Sequence, residues 1–143
     1  GNTIFLNFKK QNFTLINDSY NSNPASLNAA LENFSKLVTK GKKFLILGDM
    51  LELGENTLAI HKSFKNKIDN MDINILYTVG RNMYELNKSI SGIKIKIHEE
   101  KLDKIKEQVL GSVKEGDAIL VKGSNSINLN YLVKKITLEC KKL

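Results

Sequence analysis

Three short polar stretches hold most of the residues in this chain that could do chemistry. The first is Asn17-Asp18-Ser19-Tyr20-Asn21-Ser22-Asn23-Pro24-Ala25-Ser26, which sets a carboxylate, a phenol and three side-chain amides side by side. The second is Gly48-Asp49-Met50-Leu51-Glu52-Leu53-Gly54-Glu55, with carboxylates at Asp49 and Glu52. The third is Lys122-Gly123-Ser124-Asn125, where a cation precedes an apparent helix start. A helix N-terminus beside a lysine suits a carboxylate ligand. A plainer reading stands next to each. Asn23 or Ser22 would cap a helix, with Pro24 at its first position. Asp49 and Glu52 would brace a loop. Ser124 or Ser126 would cap the last helix. A phosphate cradle of the form G-x-x-x-x-G-K-[ST] is absent, because Gly41-Lys42 lacks the upstream Gly and the following Ser or Thr. There is no G-x-G-x-x-G after a strand. His61 and His98 stand apart with no Cys partners, so metal-ligand spacing is absent too. His61 falls partly on an apolar helix face and reads as a satisfied structural residue. His98 reads as an exposed strand end.

The elements that would position these stretches can be traced from pattern. Residues 3–8 and 13–17 read as an antiparallel hairpin at a sheet edge, turned by Lys9-Lys10-Gln11-Asn12. Short apolar runs near 43–48, 73–79, 94–98 and 117–122 suit parallel strands covered on both faces. Helical spacing marks about 24–40, 57–71, 81–90, 101–114 and 125–141. Glycines sit where elements end. Alternation of strand and helix predicts an α/β, doubly wound, Rossmann-like and mostly parallel sheet with right-handed crossovers. Ligands of such sheets bind beyond the carboxyl ends of the strands, where all three polar stretches fall. Asp18 at a strand end therefore predicts a ligand contact rather than a core contact.

Together the stretches resemble the C-terminal domain of the Mur ligases. The match is to the MurF-type subfamily, which joins D-alanyl-D-alanine to UDP-N-acetylmuramoyl-tripeptide. Its D-[ST]-Y-N-A-N-P-x-S, G-D-M-x-E-L-G and V-K-G-S-R turns stand here as Asp18 to Ser26, Gly48 to Gly54 and Val121 to Asn125, in the same order and spacing. The resemblance covers essentially all of residues 1–143. Asn125 replaces the usual Arg and Ser22 the usual Ala.

The resemblance implies one domain of a larger enzyme. The chain opens one residue before a strand, as a domain excerpted from a longer protein would. The expected N-terminal domain binds the UDP moiety. The expected central domain holds the P-loop and Mg2+ and makes an acyl phosphate from ATP. This chain would be the lid that presents the dipeptide, and alone it would be inactive. No catalytic residue and no metal ligand are expected in it. Asp18 would accept the ATP ribose hydroxyls, since an ionised carboxylate accepts two hydrogen bonds. Tyr20 would contact adenine or simply pack. Asn21 and Asn23 would set the turn or reach the nucleotide. Asp49 and Glu52 would take the dipeptide ammonium or brace the loop. Lys122, Ser124 and Asn125 would take its carboxylate. The implied setting is bacterial peptidoglycan synthesis in the cytoplasm.

Composition bounds the alternatives. The 143 residues suffice for one domain, and 41% apolar with 26% charged residues is ordinary for a globular protein. No apolar run approaches the roughly 20 residues that span a bilayer. Cys140 is the sole cysteine, which excludes an internal disulfide. The formal charge of +7 does not read as nucleic-acid binding, because the lysines are scattered, Arg81 is the only arginine and aromatics do not interleave. The rival class is a flavodoxin- or receiver-like nucleotide-binding or signalling module. Asp18 and Asp49 mimic a receiver's acidic residues, but the leading hairpin and the Asn-rich turn do not fit one.

Overall fold

A computed structural model describes residues 1–143. The chain begins with a hairpin of β1 (Asn2–Phe8) and β2 (Gln11–Asp18), paired from Asn2 opposite Asn17 to Phe8 opposite Gln11. It continues through α1 (Pro24–Lys36), β3 (Lys43–Gly48), α2 (Thr57–Lys62), α3 (Lys65–Asp69), β4 (Ile75–Val79) and α4 (Arg81–Ser89). The last elements are β5 (Ile95–His98), α5 (Leu102–Ser112), β6 (Ala118–Lys122), α6 (Leu129–Leu138) and β7 (Lys141–Lys142).

The sheet order is β5-β4-β3-β6-β2-β1-β7. From β2 through β5 every pairing is parallel, and β1 is antiparallel to both neighbours. The expected α/β doubly wound sheet with an antiparallel edge is therefore the fold. The chain moves outward from β3 to β5, then returns through α5 to insert β6 between β3 and β2. This reversal brings the carboxyl ends of β2, β6 and β3 side by side, with Asp18 opposite Lys122 and Lys122 opposite Leu47. The three polar turns thus share one edge of three adjacent strands.

Period-two alternation divides the core. Phe44, Ile46, Ile119 and Val121 face α5 and α6, in a cluster of 18 buried residues. Leu45, Leu47, Ala118 and Leu120 face α1, α3 and α4, in a cluster of 17. Both faces are covered about equally, which explains why β3, β4 and β6 are buried along their whole length.

The largest departures from the pattern reading each have a local reason. The first helix stops at Lys36 instead of running to 40. Lys43 is buried and donates to the carbonyls of Phe34 and Ser35, closing the helix end. The helix expected over 57–71 is a 3₁₀ turn (Gly54–Asn56) followed by two short helices. It breaks where the Ser63 hydroxyl takes the Ile60 carbonyl and Phe64 N–H closes back onto His61. The helix expected over 125–141 starts as a 3₁₀ turn (Asn125–Ile127), passes a left-handed Asn128 with φ 65°, and becomes α-helical only at Leu129. Asn tolerates that conformation better than most residues. Its far end leaves the helix at Leu138, and Lys141–Lys142 pairs with β1 as a terminal strand too short to read from pattern.

Candidate functional site

In the first turn, two of the three amides serve the backbone. Asn17 is buried, and its side-chain oxygen accepts from the Ser19 N–H at 3.2 Å and the Ser19 hydroxyl at 2.5 Å. Asn23 is the N-cap of α1: its side chain accepts from Ser26 N–H at 2.9 Å, while Ser26 Oγ accepts from Asn23 N–H at 3.0 Å. This reciprocal capping box, with Pro24 at the first helical position, fixes where α1 begins. Ser22 is buried and does not cap, and its hydroxyl has no hydrogen-bond partner. Asn21 is exposed, and its backbone carbonyl accepts from Lys122 Nζ at 2.5 Å.

Asp18 and Tyr20 do not converge. Asp18 lines a groove of about 470 Å³ on the α1 side of the sheet, with Thr3, Ile16, Ser26, Ala30 and Phe34. Tyr20, 60% exposed, lines a groove on the α6 side with Ile4, Asn17, Asn130 and Val133. Successive strand-end residues two apart would share a face, but the chain turns at Ser19 and sends Tyr20 across. A single nucleotide pocket built from both side chains is therefore not what the fold assembles.

The second turn is largely consumed by its own scaffold. Asp49 is buried, and its carboxylate accepts from Asn82 N–H, Asn82 Nδ2 and Met83 N–H at 2.8–3.1 Å. It caps the N-terminus of α4, which no residue of that helix does. Gly80, at φ 103°, makes room, since a Cβ there would collide with the Asp49 carboxylate. A receiver's phosphoacceptor would need a free carboxylate, and this one is occupied. Of the two sequence alternatives for Asp49, the geometry supplies the brace. Glu52 differs: it is exposed, with a left-handed backbone at φ 59°.

The third turn locks onto the other two. Ser124 does not cap the following turn with its hydroxyl. Ser124 Oγ accepts from Leu51 N–H at 3.0 Å, and Ser124 N–H donates to the Asp49 carbonyl at 3.1 Å. Gly48 and Gly123 approach closely at this crossing, where a Cβ on Gly123 would sit 3.1 Å from Gly48 Cα. Lys122 is only 1% exposed and turns away from the helix that follows it. Its ammonium contacts the Asn21 carbonyl and lies 3.4 Å from Asp18 Oδ2. The expectation that Lys122 meets a carboxylate ligand at the last helix is not met by this orientation. Asp18 balances this buried charge, a role that strand-end placement alone does not predict. Asn125 is exposed at the start of the 3₁₀ turn.

The histidines and the cysteine are accounted for locally. His61 is fully buried, with Nε2 accepting from Met50 N–H at 2.9 Å and Nδ1 2.6 Å from the Thr57 carbonyl. The ring proton thus sits on Nδ1, and His61 pins the second turn to α2. His98, expected to be exposed, is half-buried, 2.5 Å from Glu100, 2.9 Å from Thr78 Oγ1 and packed against Tyr84. Burial, with Glu139 adding to it, pushes the Cys140 thiol up to about 11, so it is not a ready nucleophile. No group of three or more His, Cys, Asp or Glu side chains comes together as a metal site needs.

Pattern reading missed Asn82, the partner of Asp49, although its place just after a strand-end Gly is a helix-start signal. It also missed the Asp18–Lys122 pair. No sequence signal could expose that pair without knowing that β6 inserts beside β2.

Comparison with known proteins matches this arrangement. A family model described as the Mur ligase glutamate ligase domain matches residues 6–125. The UDP-N-acetylmuramoyl-tripeptide–D-alanyl-D-alanine ligase of Buchnera aphidicola subsp. Baizongia pistaciae is 39% identical over 134 residues, covering 88% of this chain and 27% of that enzyme. The Bacillus subtilis enzyme of the same name is 37% identical over 132 residues, covering 86% of this chain and 28% of its own length. The crystal structure of MurF ligase from Thermotoga maritima in complex with ADP superposes with a TM-score of 0.76 at 22% identity, over 94% of this chain and 30% of that one. At that identity the likeness speaks for the fold. The chain spans a little over a quarter of the length of these curated relatives. With the family model spanning most of the sequence, and the three strand-end turns gathered on one edge, this chain belongs to the Mur ligase family and carries its glutamate ligase domain.

Proposed function

We propose that this chain is the C-terminal, substrate-presenting domain of an ATP-dependent ligase that adds D-alanyl-D-alanine to UDP-N-acetylmuramoyl-tripeptide in bacterial peptidoglycan synthesis. The observation that carries the proposal is the gathering of the three turns at the carboxyl ends of β2, β6 and β3, in a chain whose relatives bear that activity in their names. The N-terminal and central domains would belong to the same polypeptide, in the cytoplasm.

The domain's part in the reaction is positional. Asp18 offers a partly exposed carboxylate to the ribose of ATP, and Asn21 flanks it. The nucleotide reading gains support from the Thermotoga maritima relative, whose crystal holds ADP. Glu52 and Asn125 are exposed polar side chains of the other two turns, and they face the dipeptide. Glu52 receives its ammonium group. Asn125 and the turn after β6 receive its carboxylate. Asp49, Lys122 and Ser124 hold these groups in place, and Tyr20 and Asn23 shape the first turn. Closing the domain over the central one orients the amine toward the acyl phosphate and excludes water that would hydrolyse it. The Mg2+ that accompanies ATP is assigned to the central domain, as the resemblance to the Mur ligases implies.

A reconstitution tests the proposal. The full-length ligase carrying this chain should release phosphate from ATP only with both tripeptide nucleotide and D-alanyl-D-alanine present, and should yield the pentapeptide product. The 143-residue chain alone should release none. A full-length enzyme that accepts a single amino acid but not the dipeptide would overturn the substrate assignment.

A further inference from the structure

We propose that Lys122 is a positioning residue for the nucleotide turn, not a ligand of the second substrate. The inference rests on the reading of Asp18 as the ribose contact. It goes beyond that reading by moving a residue of the third motif to the service of the first.

The geometry carries it. Lys122 ends β6 directly opposite Asp18 of β2 in the parallel register. Its side chain is 1% exposed, so no substrate reaches it. An ammonium withdrawn from water needs acceptors, and breaking such a pair leaves an uncompensated charge. Both acceptors here belong to the first turn. One is the Asn21 carbonyl at 2.5 Å, and the other is Asp18 Oδ2 at 3.4 Å. Asp18 keeps 30% of its side chain exposed, so the pairing holds the carboxylate from behind and leaves it a face toward solvent. The turn has no other cation near this carboxylate within ion-pair distance. Two residues further on, Ser124 reaches the opposite way, to Leu51 and Asp49. The end of β6 is thus a bracket. Lys122 sets the turn on one side, and Ser124 sets the turn on the other.

Steady-state kinetics of the full-length ligase separate the roles. Lys122→Met keeps the stem and removes the charge. It should raise the KM for ATP by about tenfold, the loss of one charge-assisted hydrogen bond's worth of positioning. The KM for D-alanyl-D-alanine, measured at saturating ATP, should stay within about threefold, since that substrate does not touch Lys122. Asp18→Asn should raise the ATP KM as well, and the double variant should be no worse than the poorer single, because the two residues act as a unit. Should Lys122→Met fail to fold, Lys122→Arg keeps a cation, displaces its donors, and should give the same ATP-selective rise. A dipeptide-selective rise in either variant overturns the inference, and so does additivity in the double variant. If Asp18→Asn alone leaves the ATP KM normal, the nucleotide reading itself has failed. If Asp18→Asn raises it and Lys122 variants do not, only the present inference has failed.

Discussion

Strand β6 carries a buried ionic group at each end, and the two ends are built oppositely. At its start, Asp117 is 1% exposed and paired with Lys42, whose side chain is 38% exposed. At its finish, Lys122 is 1% exposed and paired with Asp18, at 30%. The Asp117 carboxylate is saturated by the backbone, accepting Lys42 N–H at 2.7 Å and Lys114 N–H at 2.8 Å. Asp18 receives no backbone N–H at all and meets only the lysine. A buried carboxylate whose lone pairs are filled by backbone is a structural part. A half-exposed carboxylate oriented by a buried cation has acceptor capacity to offer. The amino end of β6 is finished, whereas at its carboxyl end Asp18 keeps acceptor capacity on the side of the sheet where such folds bind ligands.

The largest effect should come from breaking the finished end. Asp117→Ala strands two backbone N–H groups and frees a lysine, and should cost about 3 kcal/mol of stability. Denaturant unfolding of the chain measures it. In the folded fraction of the ligase the ATP KM should be unchanged. A variant that melts normally would erase the contrast.

Asp18→Ala should give the converse pattern. Losing the ribose contact should lower kcat/KM for ATP by about 1.5–3 kcal/mol of transition-state binding. The fold will not be untouched, as strand-end placement alone suggests, because Lys122 is left with only the Asn21 carbonyl. Asp18→Asn keeps an acceptor for the lysine and should recover most of the stability while still impairing ATP use. Equal stability losses in the Ala and Asn variants, with normal ATP kinetics in both, would make the two ends of β6 alike.

The sheet, its parallel centre and its edge hairpin were legible because alternation and glycine punctuation are local signals. So were the turn locations and the Asn23-Pro24 helix start. The assignment of roles within the turns was less so. Asp49 and Glu52 look equivalent in sequence, three residues apart, yet one caps α4 across 33 positions and the other faces solvent. Lys122 reads with the helix that follows it, because a sequence shows what comes next along the chain and not which strand lies beside it. Helices stop short of their periodic pattern where a distant or polar side chain supplies an early cap: Lys43 for α1 and Ser63 for α2.

Ser22 offers a smaller test of the open end. Its hydroxyl is buried without a partner, in the turn where Lys122 and Asp18 meet. Leaving a polar atom unpaired costs more than removing it. Ser22→Ala, which restores the residue usual in this motif, should stabilise the chain by about 1 kcal/mol. A rise in melting temperature at unchanged ATP KM is the expected result. A fall would mean that the hydroxyl is satisfied in solution and that the turn is as complete as the Asp117 end.

The smallest effect is a pH dependence at the finished edge. Asp69 closes α3 and accepts the N–H groups of Ser91 at 2.8 Å and Gly92 at 2.9 Å, ahead of β5. Burial alone would raise its carboxyl, but the Lys65 hydrogen bond and the Gly92 and Ser91 N–H groups outweigh it and hold it down at about 2, against an ordinary 3.8. A carboxyl depressed in the folded state stabilises it fully above the unfolded value and loses that contribution as pH falls through the folded one. Asp69 should therefore contribute undiminished above about pH 5, fade between about pH 4 and 2, and contribute nothing below. Carboxyl-carbon NMR of the folded chain should show Asp69 titrating near the bottom of the series. Asp69→Asn should flatten the acid limb of the stability curve without shifting its neutral plateau by as much as Asp117→Ala does. If Asp69 titrates instead with the unshifted carboxyls, backbone saturation is not what distinguishes this edge, and the contrast with Asp18 must rest on exposure alone.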